Sequence, residues 1–389
     1  MEQETIPSQH PCRSPECCCS SAAEAQPRSC ESSAAVTERR RGDDGFRSHA
    51  PSSYESPPDG HAASATISRV LRRIVRPLLY LLAVVVLAVV GAFSYLFLAL
   101  PRVAPAATLQ VPRTPERVAR GLYLSRHVVG CSDCHGERDW TKYSAPQMRE
   151  REGHGGMAFP IGVGALYAPN ITPARLGTWT DGEVLRAMTS GVSKDGSPLF
   201  PLMPYDAYRQ MSQEDAESIV AFIRTLPPVA RDVPRSQLDF PLNLIVRTMP
   251  SPAPPLAKKA PDPSDRLAYG KYLTTIASCV SCHTQMESGQ PLPGMAFAGG
   301  LEFQMRSGGV QYSANITSDR ETGIGRWTVE QFVARFKSVA NADEASLALN
   351  GRTNTEMPWR DYGGMTTGDL EAIFTYLRTV PAVRHAVAR

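Results

Sequence analysis

Residues 131–135 read CSDCH and residues 279–283 read CVSCH. Two cysteines two residues apart, with a histidine directly after them, occur twice, and nothing else in the chain limits its fold so tightly. The surroundings repeat too. RVARGLYL at 117–124 answers RLAYGKYL at 266–273, and GMAF at 156–159 recurs at 294–297. APNIT at 168–172 answers SANIT at 313–317, and GTWTDGE at 177–183 answers GRWTVEQ at 325–331. MPYDAY at 203–208 answers MPWRDY at 357–362, and MSQEDAESIVAFIRTLPPV at 211–229 answers MTTGDLEAIFTYLRTVPAV at 365–383. With the cysteine motifs, seven blocks recur in one order. The unit that repeats is roughly 110–120 residues long, an ordinary domain size.

Each unit reads as helical. Helices are expected over 115–127 and 264–277. Thr180 with Glu183, and Thr328 with Gln331, form capping-box patterns, in which hydroxyl and carboxyl or amide satisfy each other's free backbone N–H. Ser212 with Asp215, and Thr366 with Asp369, mark two more helix starts. The helices that follow carry apolar residues at Ala216, Ile219, Val220, Ile223 and Leu226, and at Leu370, Ile373, Phe374, Leu377 and Val380. That spacing is one face of a 3.6-residue period, and Pro227 and Pro381 stop it. Gly121 and Gly270 sit mid-helix, where glycine costs ~1 kcal/mol relative to alanine. Close approach of another helix would offset that cost, and Phe222 and Tyr376, at matching places on the closing helices, are expected over these glycines.

Three chemistries compete for each Cys-x-x-Cys-His. Structural zinc takes four ligands, and each unit supplies one pair of thiols. A thioredoxin-like dithiol sits at a βαβ turn and has no need of the histidine. Attachment of c-type haem uses all three residues: the thiols add to two vinyl groups and the histidine is carried beneath the iron. Past residue 100 every cysteine, namely Cys131, Cys134, Cys279 and Cys282, belongs to a motif, so no structural disulfide is left there. A covalently held apolar disc would nucleate a core in a small domain without one. The expectation is two covalently bound haem c groups, with His135 and His283 on iron.

The sixth iron position asks for a further ligand. Met203 and Met357 stand at matching places, 68 and 74 residues after the two histidines. Methionine opposite histidine is the ligation of electron-carrying cytochromes c and raises the potential. Met157/Met295 and Met211/Met365 also recur in register. The second pair directly precedes a helix cap, a poor place from which to reach a ring centre. His127 and His154 have no counterpart in the second unit. Asn170 and Asn315 are candidates to hydrogen-bond a propionate or the thioether, and Trp179 and Trp327 to pack on the ring edge. The plainer roles for these four are turn chemistry and core.

After Pro77, 23 residues pass without a charge as far as Leu100. At about 1.5 Å per residue this crosses a ~30 Å hydrocarbon core. Arg69, Arg72, Arg73 and Arg76 precede it and only Arg102 follows closely, so the N-terminus is expected inside and the repeated units outside. A cleaved signal peptide competes, but its apolar part is only ~7–15 residues long. Residues 1–68 are rich in Ser, Pro, Arg and Glu and are expected to be disordered. They hold the other five cysteines, Cys12, Cys17, Cys18, Cys19 and Cys30, expected as reduced thiols. Valine 70 opens a charged-then-apolar export pattern, so a translation start near Val70 competes with a real cytoplasmic tail. Lys+Arg at 41 against Asp+Glu at 38 leaves no basic field for nucleic acid.

The chain resembles the c-type cytochrome subunits of periplasmic membrane-bound dehydrogenases for alcohol, aldehyde, gluconate and related substrates. The resemblance covers about 113–383 and rests on the two motifs, GMAF, NIT, WTDGE, DGSPLFPLMPY and the closing MSQEDAESIVAFIRTLPPV. It places the haem ligands on His135, His283, Met203 and Met357. Many such subunits carry three motifs where this chain has two, and the stretch 338–356 has no counterpart in the first unit. The expected architecture is mainly α: two tandem class I cytochrome c modules behind one N-terminal transmembrane helix. The boundaries are a tail over 1–68, basic flank and anchor over 69–100, a linker over 101–112, modules over 113–230 and 262–384, and a proline-rich linker over 231–261. The expected work is a single-electron relay in the periplasm, at the inner membrane. The donor would be a periplasmic dehydrogenase subunit or another electron donor. The acceptor would be an oxidase, a quinone or a soluble cytochrome. A dihaem peroxidase would need one iron with an open or displaceable position, whereas both units offer a Met-Pro-aromatic. A membrane-tethered redox sensor would need an output domain, and the tail lacks globular composition.

Overall fold

The computed structural model describes residues 61–306 and 308–388. The expectations for residues 1–60, including their five cysteines, lie outside the described residues. A helix over His61–Leu98 opens the described chain and takes in 61–68, residues assigned to the tail on composition. HAASATIS is short of large apolar side chains, but its alanines favour helix. The stretch Val70–Leu98 is long and apolar enough to cross a membrane, and no residue of its most apolar part is buried against the protein. Its last carbonyls are met by Arg247, whose Nε donates to the Leu96 carbonyl at 2.8 Å. The guanidinium also lies over the Phe97 ring, 4.6 Å from its centroid. A helix end leaves carbonyls without partners, and an arginine satisfies them.

Beyond this helix the described chain is mainly α, with short hairpins between helices. The opening helix Pro115–Tyr123 begins on Thr114, with proline at its first turn, and continues as a π-turn over Leu124–Val128. It packs against the closing helix Gln213–Ile223. In the second half Arg266–Ile276 packs against Thr367–Leu377. Both capping boxes form, on Thr180–Glu183 and Thr328–Gln331. The ten apolar positions read from the closing helices' periodicity are all buried. Burying such side chains supplies roughly 1.5–3 kcal/mol each.

Each opening helix meets its closing helix at a glycine. A Cβ on Gly121 would stand 1.8 Å from the Ser218 carbonyl oxygen and 2.8 Å from Phe222 Cβ. A Cβ on Gly270 would stand 1.9 Å from the Ala372 carbonyl oxygen. The close approach is therefore backbone on backbone. Phe222 is in place over Gly121. On Gly270 the nearest atoms are backbone of Ala372 and Ile373, one turn before Tyr376, whose ring packs edge-on against Phe297 instead.

The two halves exchange equivalent contacts. Tyr123, at the end of the first opening helix, donates to Asp369 at the head of the second closing helix. Tyr272 donates to Asp215 at 2.6 Å in the reverse direction. The N–H of Thr366 donates to Tyr123 Oη at 3.0 Å, and that of Ser212 to Tyr272 Oη at 3.1 Å. Each tyrosine thus crosses to the N-cap of the other half's helix.

The segments expected as linkers are packed. In 101–112, Val111 is buried and its N–H donates to Asp181 at 2.9 Å, while Ala107 lies against Gly182. In 231–261, Gln237–Leu238 pairs with Gly164–Ala165. Further on, the carbonyls of Ala257 and Lys258 accept from Gln213 and Glu214 and cover the first turn of the closing helix.

Candidate haem sites

Cys131–His135 forms one helical turn entered from Gly130 in the left-handed region, at φ 66°. Cys279–Cys282 forms the matching turn, entered from Ser278 at φ 55°. One helical turn separates the two cysteines of each motif, and the histidine follows directly. All four cysteines are free. Burial pushes the thiols of Cys131, Cys134 and Cys279 up to about 12 and raises that of Cys282. Among the described residues no three His, Cys, Asp or Glu side chains gather as a bare metal ion would need.

The histidines carry the plainest geometry. His135 Nδ1 donates to the Pro169 carbonyl at 2.8 Å, and His283 Nδ1 to the Ala314 carbonyl at 2.7 Å. A carbonyl only accepts, so Nδ1 bears the proton and Nε2 keeps the lone pair that iron requires. Burial holds both imidazoles below their ordinary pKa, and therefore neutral.

The asparagines stand directly behind these carbonyls. Asn170 is buried; its Oδ1 accepts from the N–H and hydroxyl of Thr172 at 2.8 and 2.7 Å, and its Nδ2 donates to the Val229 carbonyl at 2.8 Å. Asn315 repeats this with Thr317 at 2.9 and 2.7 Å and with Val383 at 2.8 Å. The recorded bonds of both amides tie the loop behind the histidine to the chain after the closing helix. Turn chemistry, the plainer of their two expected roles, is what these bonds describe. Trp179 is half-buried against the core, and Trp327 is exposed.

Met203 and Met357 are both half-buried and pack on the same apolar core as Cys131 and Cys279. Met211 and Met365 are buried in that core, at 1% and 2% exposure. His127 Nδ1 donates to the Asp361 carbonyl at 2.8 Å, a contact between halves, and His154 lies half-buried on a loop. The residues missed on sequence are Pro169, Ala314, Thr172 and Thr317. The repeated Asn-Ile-Thr was a signal for the threonines. The carbonyls have none, since every residue carries one.

The donor set fits covalent haem: paired neutral thiols, a neutral imidazole with Nε2 free, and a thioether on the same core. Such a turn, in a mainly α chain, is how a c-type cytochrome is built. Relatives of the chain are of that class, and several are, more particularly, cytochrome c subunits of dehydrogenases. It is 30% identical, over 68% of its own length and 56% of the relative's, to the alcohol dehydrogenase (quinone) cytochrome c subunit of Gluconacetobacter polyoxogenes. It is 28% identical, over 74% of its length and 58% of the relative's, to the fructose dehydrogenase cytochrome subunit of Gluconobacter japonicus. Over 29% of its length and 38% of the relative's it is 30% identical to a dihaem cytochrome c-type protein of Cereibacter sphaeroides. The chain spans little more than half the length of the first two. The likeness implies covalently bound haem c. No family model matches the chain.

Proposed function

We propose that the chain is a membrane-anchored dihaem cytochrome c relaying single electrons in the periplasm, from a dehydrogenase to a respiratory acceptor. The reading is carried by one observation made twice: His135 and His283 each hold Nδ1 on a backbone carbonyl directly after a thiol pair. Cys131, Cys134, Cys279 and Cys282 would hold two haems as thioethers, and His135/Met203 and His283/Met357 would ligate iron in two tandem modules. Haem held in this way would supply one-electron redox chemistry. The protein's part is to keep each imidazole oriented and each thioether on the apolar core, away from water. The names of the relatives favour a dehydrogenase as donor, and a quinone, an oxidase or a soluble cytochrome would accept. The apolar helix over Val70–Leu98 supports the anchor, with the haem-bearing part on its periplasmic side. A pyridine haemochrome assay on the purified chain tests the core of this reading. Two covalent haems are expected, one lost in each of the Cys131/Cys134 and Cys279/Cys282 double variants. A single haem, or haem extracted by acid acetone, would refute it.

A further inference from the structure

The two Met-Pro-aromatic segments make the same turn. Pro204 sits at φ −80°, ψ 59° and Pro358 at φ −80°, ψ 66°. The N–H of Tyr205 donates to the Met203 carbonyl at 2.7 Å, and that of Trp359 to the Met357 carbonyl at 2.8 Å. This is an inverse γ-turn with its central φ preset by the proline ring. The second copy has a further support, and it comes from the opposite half. Ser144 Oγ donates to the Met357 carbonyl at 2.9 Å and accepts from the Trp359 N–H at 2.8 Å. One hydroxyl therefore closes the turn from both sides of Pro358.

Ser144 is itself firmly held. It is fully buried, and its N–H donates to Asn354 Oδ1 at 2.9 Å. Asn354 Nδ2 reaches back to the carbonyls of Trp140 and Lys142, both at 3.0 Å. Arg138 donates to the carbonyls of Ser144 and Ala145 at 2.9 and 2.8 Å. The backbone is strained at this point: Ser144 has φ 66° and Ala145 φ 40°, left-handed values in two consecutive residues that are not glycine. Such strain persists only where the surroundings over-determine it, and it gathers at working positions. The segment has no counterpart in the second half. Twenty residues lie between His135 and Gly156, but ten between His283 and Gly294. The extra stretch docks on the second half's own extra stretch, where the Tyr143 N–H donates to the Leu347 carbonyl at 2.7 Å.

We propose that Ser144 is a positioning residue for Met357: its hydroxyl, supplied by the first half, fixes the ligand loop of the second haem. The ligation and potential of the second haem then depend on the first half being folded, whereas among the described residues no hydroxyl of the second half bonds the Met203 turn. The proposal rests on the reading of Met357 as an axial ligand, and the two can be tested apart. The holoprotein's far-red thioether-to-iron band and its ferrous CO binding are measured in full-length variants. Ser144→Gly removes the hydroxyl while relieving the backbone, so strain cannot account for its effect. It is expected to halve the far-red band, create one CO-binding haem per chain and move one of two potentials downward. The change should be absent in a Met357→Ala background and should remove the remaining band in a Met203→Ala background. Asn354→Ala, which frees the Ser144 N–H, should lose part of the same half and serves if Ser144→Gly does not accumulate. If Met357→Ala leaves the band at full strength, the ligand reading fails. If Met357→Ala halves the band while Ser144→Gly and Asn354→Ala leave it intact, the positioning role is overturned.

Discussion

At the scale of single residues, the thioethers are the sharpest test. Met203→Ala or Met357→Ala should open one iron each, lower one potential and leave the other unchanged, because methionine raises the potential of histidine-ligated haem. A redox titration that moves both potentials, or neither, would show that another side chain ligates. The glycines give a stability test. Gly121→Ala and Gly270→Ala would push a Cβ within 2 Å of a helix carbonyl, backbone that cannot swing aside. Each should cost about 1–3 kcal/mol through overpacking, despite alanine's better helix propensity. Urea unfolding measures it, and a gain in stability at either position would contradict the packing. What was legible here was what a linear pattern can carry. Cys-x-x-Cys-His, the buried stripe from Ala216 to Leu226 and the two glycines are all local. The carbonyls of Pro169 and Ala314 were not legible, because a backbone atom has no residue identity. Nor was Ser144, whose hydroxyl finds its partners 213 and 215 residues along the chain.

At the scale of elements, caps and stops came through, while the connections did not. Thr180–Glu183 and Thr328–Gln331 fix their helix starts by bonds within four residues, so sequence alone sufficed. The connections over 101–112 and 231–261 look like loose proline-rich chain, yet they are used as packing and pairing partners. Their apolar content is too low for periodicity to register, and their partners are tertiary. The crossed tyrosines belong to this scale. Asp215 has Arg120 as a second partner, at 2.8 and 2.9 Å, whereas tyrosine, at position 269, takes that arginine's place in the second half. Tyr123→Phe, which strips Asp369, should therefore destabilise more than Tyr272→Phe. The first loss should fall at about 1–3 kcal/mol, the usual cost of an orphaned acceptor. Equal midpoints in denaturant for the two variants would sink the comparison.

At the scale of the whole molecule, Arg247 holds the C-terminal end of the apolar helix. If Val70–Leu98 spans a bilayer, alkaline carbonate washing should leave the chain in the membrane pellet. Recovery of haem-bearing chain in the wash would contradict an uncleaved anchor. Arg247→Ala should leave that partition unchanged but raise amide exchange at the end of the helix, since the Leu96 carbonyl loses its cap.

The paired crossings, Tyr123 to Asp369 and Tyr272 to Asp215, have an implication for ancestry and assembly. Equivalent residues that swap partners are the mark of a self-complementary, two-fold contact between identical subunits. The two tyrosine–aspartate contacts follow that pattern within one chain. The connection over 231–261 then adds effective concentration, and its own bonds to the closing helix of the first half add to the contact. Cleavage at the exposed Pro254–Pro255 should leave two haem-bearing fragments that migrate together on gel filtration and separate on dilution or in denaturant.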